Sequence, residues 1–93
     1  MADEGSLEER FLGKLYGLAE GEATRLVSGE ELARALSMDP DGETDKARFL
    51  GTARRLEEEG YLIANKSGPE VRDYSSLSLT RAGIRAVEES RGP

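Results

Sequence analysis

The sequence contains no cysteine and no histidine among its 93 residues. These two absences remove thiolate and imidazole chemistry, which excludes disulfides, the common zinc ligand sets and nucleophilic catalysis by a Ser-His or Cys-His pair. A phosphate-binding loop and a catalytic pattern of paired carboxylates are also missing from the sequence. We therefore expect a protein that is not an enzyme and that uses neither a metal nor another cofactor.

Aromatic residues and long apolar runs are also scarce. With two Phe, three Tyr and no Trp, the core must come mainly from Leu, Ile, Val and Ala. The apolar runs are too short for a membrane span, and the acidic start does not resemble a signal peptide. We expect a cytoplasmic protein without a membrane segment, folded as a single domain over residues 1–93, with disorder at 1–5 and 90–93.

Basic charge is scarce in the first half of the chain and not in the second. The formal net charge is -6, which argues against binding nucleic acid by bulk electrostatics alone. Residues 1–43 carry eleven acids against four bases, whereas residues 44–93 carry eight acids against nine bases. Any anion-binding surface should therefore lie in the second half.

Capping patterns predict two helices in the first half. Ser6 and Glu9 form a capping box that opens a first helix, although Gly13 and Gly17 weaken it by roughly 1 kcal/mol each relative to Ala. A brief strand at 25–27 leads to a second capping box, Ser28 to Glu31, which opens a short helix at about 29–36.

An acidic loop, residues 37–43, follows that helix. Asp39, Asp41 and Gly42 match positions three, five and six of an EF-hand loop. Ser37 and Arg48, however, stand at positions one and twelve, where the motif needs an Asp and a bidentate Glu. We interpret these carboxylates as turn formers and helix-start charges instead of calcium ligands.

The second half predicts a long helix, a hairpin and a last helix. Thr44 or Asp45 caps the long helix, which runs to Glu59, and Gly60 takes the left-handed position after it. Strands at 61–64 and 71–79 flank a turn at 66–69. Thr80 caps a last helix that frays from Ser90 onward. This order predicts an α+β fold that is mainly α.

Two stretches of the chain resemble the winged helix-turn-helix superfamily of MarR-like and PadR-like regulators. The first combines Ser28 to Ala33 with a leucine-rich helix, an acidic run, Gly60 and Tyr61-Leu62. The second, Leu77 to Ile84, looks like the Leu-Thr-x-x-Gly segment that leaves the wing in those families. The resemblance covers residues 28–88 and implies three to four helices with a small antiparallel β-hairpin wing.

The resemblance also implies a DNA-binding transcriptional regulator that acts as a homodimer on double-stranded DNA. In such proteins a recognition helix, here at about 45–59, enters the major groove while the wing reaches a neighbouring phosphate or the minor groove. The candidate DNA-binding residues are Lys46, Arg48, Gly51, Thr52, Arg54 and Arg55 on the helix, with Lys66 and Arg72 on the wing.

Several alternatives stay open at this stage. Arg54 and Arg55 either contact DNA or pair with Glu58 and Glu59 four residues on. Gly51 either lets DNA approach the backbone or accommodates another helix, and we favour the second. The acidic total, the long acidic loop and the Arg72-Asp73 order in the wing support a different function, an acidic protein-interaction module without DNA binding.

Overall fold

The computed structural model describes residues 7–66, 68 and 71–91. Within these ranges the chain forms four helices and one two-stranded sheet. In chain order the elements are α1 (Leu7–Leu18), α2 (Gly29–Ala35), α3 (Glu43–Glu58), β1 (Leu62–Lys66), a 3-10 turn (Val71–Asp73), β2 (Tyr74–Leu79) and α4 (Arg81–Arg91). The α+β, mainly helical architecture is thus confirmed.

The helix caps agree with the sequence at α2 but not at α3. The Ser28 hydroxyl accepts a hydrogen bond from the Glu31 N–H at 3.4 Å, as the capping box predicts. Helix α3 begins at Glu43, earlier than expected. Its N-cap residue is Gly42, and no side chain caps it. The prediction that Thr44 or Asp45 caps this helix is therefore wrong, and Ser6 lies outside the described residues.

The carboxylates of the acidic loop fold the loop itself. Asp39 accepts a hydrogen bond from the Asp41 N–H through Oδ1 at 2.9 Å, and Asp45 accepts one from the Asp39 N–H through Oδ2 at 2.8 Å. The Gly42 N–H closes the turn on the Asp39 carbonyl at 3.1 Å. This local pairing confirms that the carboxylates form the turn before α3.

Three aromatic rings hold the helices and the hairpin together. The rings of Phe11 on α1 and Phe49 on α3 lie 4.9 Å apart, and Phe49 meets Tyr74 of β2 edge-on at 5.9 Å. All three side chains are buried, together with leucines of the helices such as Leu32 and Leu56. Because aromatic pairs of this geometry stabilise beyond their buried area, α3 has a fixed position relative to α1 and the hairpin.

The sheet is an antiparallel hairpin with one further bridge. Leu62 pairs with Leu79 and Ala64 with Leu77, and the register shifts between Asn65 and Lys66. Val27 forms a bridge to Leu77 on the other side of β2, with backbone hydrogen bonds of 2.7 and 2.8 Å. The brief strand predicted at 25–27 is therefore a single bridge.

The second strand of the hairpin is shorter than the sequence predicts. The strand was expected from residue 71, but Val71–Asp73 form the 3-10 turn and β2 begins at Tyr74. The turn buries the Val71 side chain against α2. A straight strand would carry Val71 away from that helix, so burial of this side chain overrides the strand pattern.

The last helix is longer than expected. Helix α4 continues to Arg91, whereas fraying and disorder were predicted from residue 90 onward. The ranges 1–5 and 92–93 of the same prediction lie outside the described residues. None of the helices described here is both long and apolar enough to cross a lipid bilayer.

Candidate nucleic-acid interface

Helix α3 has one buried face and one outward face. Phe49, Thr52, Ala53 and Leu56 are buried, which follows the helical period of 3.6 residues. The side chains on the opposite face are exposed: Thr44, Ala47, Arg48, Gly51, Arg54, Arg55 and Glu58. We call these seven residues the outward face of α3. It contains three guanidinium groups, one carboxylate and three small residues.

The structure separates the predicted contact residues into three groups. Arg48, Gly51, Arg54 and Arg55 lie on the outward face, whereas Lys46 is half-buried at its margin. The side chains of the two hairpin candidates, Lys66 and Arg72, lie outside the described part of the structure. The sixth helix candidate, Thr52, belongs to none of these three groups.

Thr52 is wrongly predicted as a contact residue, because its side chain is only 8% exposed and faces the core. The sequence could have shown this. Thr52 follows Phe49 by three residues and precedes Leu56 by four, which places it on the apolar stripe. Thr52 became a candidate through the resemblance to winged-helix regulators, but its spacing predicts burial.

The preferred interpretation of Gly51 has no support within the described chain. A Cβ built on this residue would meet no atom within 4 Å, so no second helix of the described chain packs against it. A glycine in the interior of a helix costs about 0.8–1.0 kcal/mol relative to alanine. Nothing inside the fold compensates for this cost, because the residue faces open space.

Among the described residues, Arg54 and Arg55 of α3 form no salt bridge with the glutamates four positions on, which was one of the two alternatives. Arg55 forms its ion pair with Glu8 of α1, with Nη1 and Oε2 2.5 Å apart, instead of with Glu59. Within residues 7–66 and 71–91, Arg48 and Arg54 have no salt bridge. Their guanidinium groups are exposed to solvent.

One ionisable group beneath this helix, the phenol of Tyr74, has a shifted pKa. The pKa of the Tyr74 phenol is raised, first because the group is buried and second because the Glu57 carboxylate lies near it, while Arg54 acts in the opposite direction. Burial disfavours the charged phenolate. Tyr74 therefore stays neutral beneath α3 and adds no negative charge to the outward face.

Comparison with solved structures identifies the architecture. The chain is similar to a mutant of ZitR from Lactococcus lactis in its apo form, at 18% identity over 90% of this chain and 53% of that one, with a TM-score of 0.59. It is also similar to a mutant of MepR from S. aureus, at 21% identity over 92% of this chain and 56% of that one, with a TM-score of 0.62.

The chain has the winged-helix fold. It spans about half the length of these two proteins. No protein-family model and no curated protein matches it. In the winged-helix arrangement α2 and α3 are the two helices of the helix-turn-helix, and the hairpin of β1 and β2 is the wing.

The Leu-Thr-x-x-Gly segment has a structural role at the corner between the wing and α4. The Thr80 hydroxyl donates to the Gly60 carbonyl at 2.6 Å and accepts from the Gly83 N–H at 3.1 Å. A Cβ on Gly83 would overlap the Tyr61 carbonyl oxygen, so only glycine fits there. This motif therefore holds the end of α3, the start of the wing and the start of α4 together.

An open cleft of about 420 Å³ lies between α1, the end of α3 and α4. Its floor includes the buried side chains of Leu12, Leu56 and Val87, and its rim carries Glu8 and Glu59. The cleft lies beside the Glu8–Arg55 pair. It therefore adjoins the C-terminal half of α3 and not the exposed Arg48.

Proposed function

We propose that this protein is a DNA-binding transcriptional regulator whose helix α3 enters the major groove. The observation that carries this proposal is the outward face of α3. On it Arg48 and Arg54 are exposed on either side of an exposed Gly51, and neither forms an ion pair with a described residue. In a winged helix this is the helix that meets DNA.

Each of these three residues has a proposed role that follows from its chemistry. The planar guanidinium groups of Arg48 and Arg54 can bind phosphate or a guanine edge with two parallel hydrogen bonds. Gly51 lies between them and lets the helix backbone approach the DNA closely. Lys46, Lys66 and Arg72 remain candidates for phosphate contacts, Lys46 from the margin of the helix and the other two from the wing.

The similar structures support the proposal at the level of the fold. ZitR and MepR are both MarR-family regulators, and the chain shares their winged-helix architecture. Because the chain covers about half of each of those proteins, its partners and assembly are proposed from its own residues. We propose a cytoplasmic homodimer, since one winged helix reads one half-site. Sedimentation equilibrium that shows only monomer at micromolar concentration would contradict the dimer.

The test of DNA binding is a salt titration with a mixed-sequence duplex of about 30 base pairs. About four phosphate contacts predict a slope of log affinity against log salt near −3.6. Replacing both Arg48 and Arg54 with Ala should make this slope less steep by about 1.8, because each contact contributes about 0.9. The matched control replaces Arg81 and Arg85, exposed bases of α4 that remove the same charge.

The expected result is a large loss for the α3 variant and a small one for the α4 control. Equal losses would show that only net charge matters and would contradict a specific role for α3. If the wild-type protein fails to bind duplex DNA even at low salt, the regulator proposal is wrong.

One set of contacts favours a second candidate function, an acidic protein-interaction module. Arg25, Arg34 and Arg55 are each paired with a glutamate on the surface, and the chain as a whole carries a formal net charge of -6. Such a surface suits a basic protein partner. Binding of a basic partner that persists after replacement of Lys46 and Arg48 with Ala, together with absence of duplex binding, would favour this function.

A further inference from the structure

The ion pair between Glu8 and Arg55 joins the first helix to the helix proposed to read DNA. The two side chains are 47 residues apart in sequence, and Arg55 Nη1 lies 2.5 Å from Glu8 Oε2. The Arg55 side chain is 66% exposed and the Glu8 side chain 31%. The Arg55 guanidinium is therefore accessible from solvent, but it is ion-paired with a carboxylate of another helix.

Arg55 would otherwise belong to the same stripe of α3 as Arg48. The two residues are seven positions apart, which is two turns and about 10.5 Å along a helix. Both lie on the outward face, with Gly51 between them. Near its start the stripe therefore has an exposed arginine that forms no ion pair with the part of the chain that the structure describes, and near its end a paired one.

We propose that Glu8 sets the DNA affinity of this protein by holding Arg55 in the α1–α3 ion pair. This inference rests on the proposed DNA-binding function. To contact a phosphate, Arg55 must first leave the Glu8 carboxylate. Breaking this ion pair has a free-energy cost, which weakens binding through Arg55.

The test is a double-mutant cycle with Glu8→Gln and Arg55→Gln, measured against the same mixed-sequence duplex. Glu8→Gln keeps the size of the side chain and removes its charge. It should tighten binding about five-fold at 0.1 M salt and make the salt slope steeper by about 0.9, which is the contribution of one added phosphate contact. Arg55→Gln alone should change the affinity by less than about two-fold.

The double variant separates release of Arg55 from simple removal of charge. If Glu8 acts through Arg55, Glu8→Gln has no effect in the Arg55→Gln background. A gain that persists in that background would overturn the proposal, because it would arise from charge alone. Glu89→Gln, on the exposed side of α4, measures the general effect of removing one acid, and an equal gain there would overturn the proposal as well.

The outcomes also distinguish this inference from the proposed function. Wild-type binding to duplex DNA with no change in Glu8→Gln overturns the role of Glu8 and leaves the regulator proposal intact. Absence of duplex binding by every variant overturns both. Thermal melts of the four proteins of the cycle confirm that each one is folded at the temperature of the binding measurements.

Discussion

Replacing Gly51 with alanine should stabilise the protein and weaken its binding to DNA. The glycine lies inside helix α3 on the outward face, and a Cβ there would meet no atom within 4 Å. The added methyl group therefore causes no clash in the isolated protein. Against DNA the same methyl group would stand between the helix backbone and the groove.

The two magnitudes follow from different physical terms. Alanine is favoured over glycine in a helix interior by about 0.8–1.0 kcal/mol, which raises the Tm of a domain of this size by about 4–8 °C. A methyl group inserted into a closely packed contact costs about 1–3 kcal/mol. That cost corresponds to a loss of DNA affinity of about five-fold to more than a hundred-fold.

The assay combines a thermal melt with the duplex titration, and Gly13→Ala is the matched control. Gly13 lies in the interior of α1, and a Cβ there would also meet no atom within 4 Å. The control should therefore gain a similar amount of stability while binding DNA as the wild type does. Only the position of the methyl group differs between the two variants.

Three results would refute the reasoning. An unchanged affinity for Gly51→Ala would show that the backbone of α3 does not approach DNA at this residue. A destabilised Gly51→Ala protein would show that the residue is not exposed as the structure indicates. A stabilised Gly13→Ala variant that also loses DNA affinity would contradict the assignment of the interface to α3.

Three further predictions concern the fold. Gly83→Ala should lower the free energy of unfolding by about 3 kcal/mol in urea denaturation, because its Cβ would overlap the Tyr61 carbonyl; wild-type stability would contradict this. Thr80→Val should cost about 1–2 kcal/mol in the same assay through loss of the cap, whereas Thr80→Ser should cost less. Because the Tyr74 pKa is raised from 10.0, the neutral phenol stabilises the fold below pH 10, and this contribution is lost as pH rises through the folded pKa. Between pH 9 and 11 the free energy of unfolding of Tyr74→Phe should therefore fall less than that of the wild-type protein.

The parts of the site that sequence could predict are local ones. The hydroxyls of Ser28 and Thr80 cap their helices as predicted, because capping depends on residues three positions apart. Gly60 adopts a positive φ of 85° after α3, as its place at the end of a helix predicts. Arg48 and Arg54 are exposed because they lie opposite the apolar period of the same helix.

The parts that sequence missed depend on contacts between elements. The cap of α3 moved to Gly42 because Asp45 turns back to the Asp39 N–H, and the strand before Tyr74 became a turn because Val71 is buried against α2. Arg55 pairs with Glu8 instead of Glu59 because α1 lies across the end of α3. The sequence around Arg55 does not predict this ion pair, because Glu8 lies 47 residues away in the chain.

The sequence by itself determined the order of helices and hairpin, since hydrophobic period, capping residues and turn residues act over a few positions. Only the tertiary structure decided which basic groups of α3 remain exposed without an ion pair. Ion pairing is decided by which helices meet, and that depends on how Phe11, Phe49 and Tyr74 pack in the core. The sequence specifies the charge of a residue, whereas the tertiary structure decides which residue forms an ion pair with it.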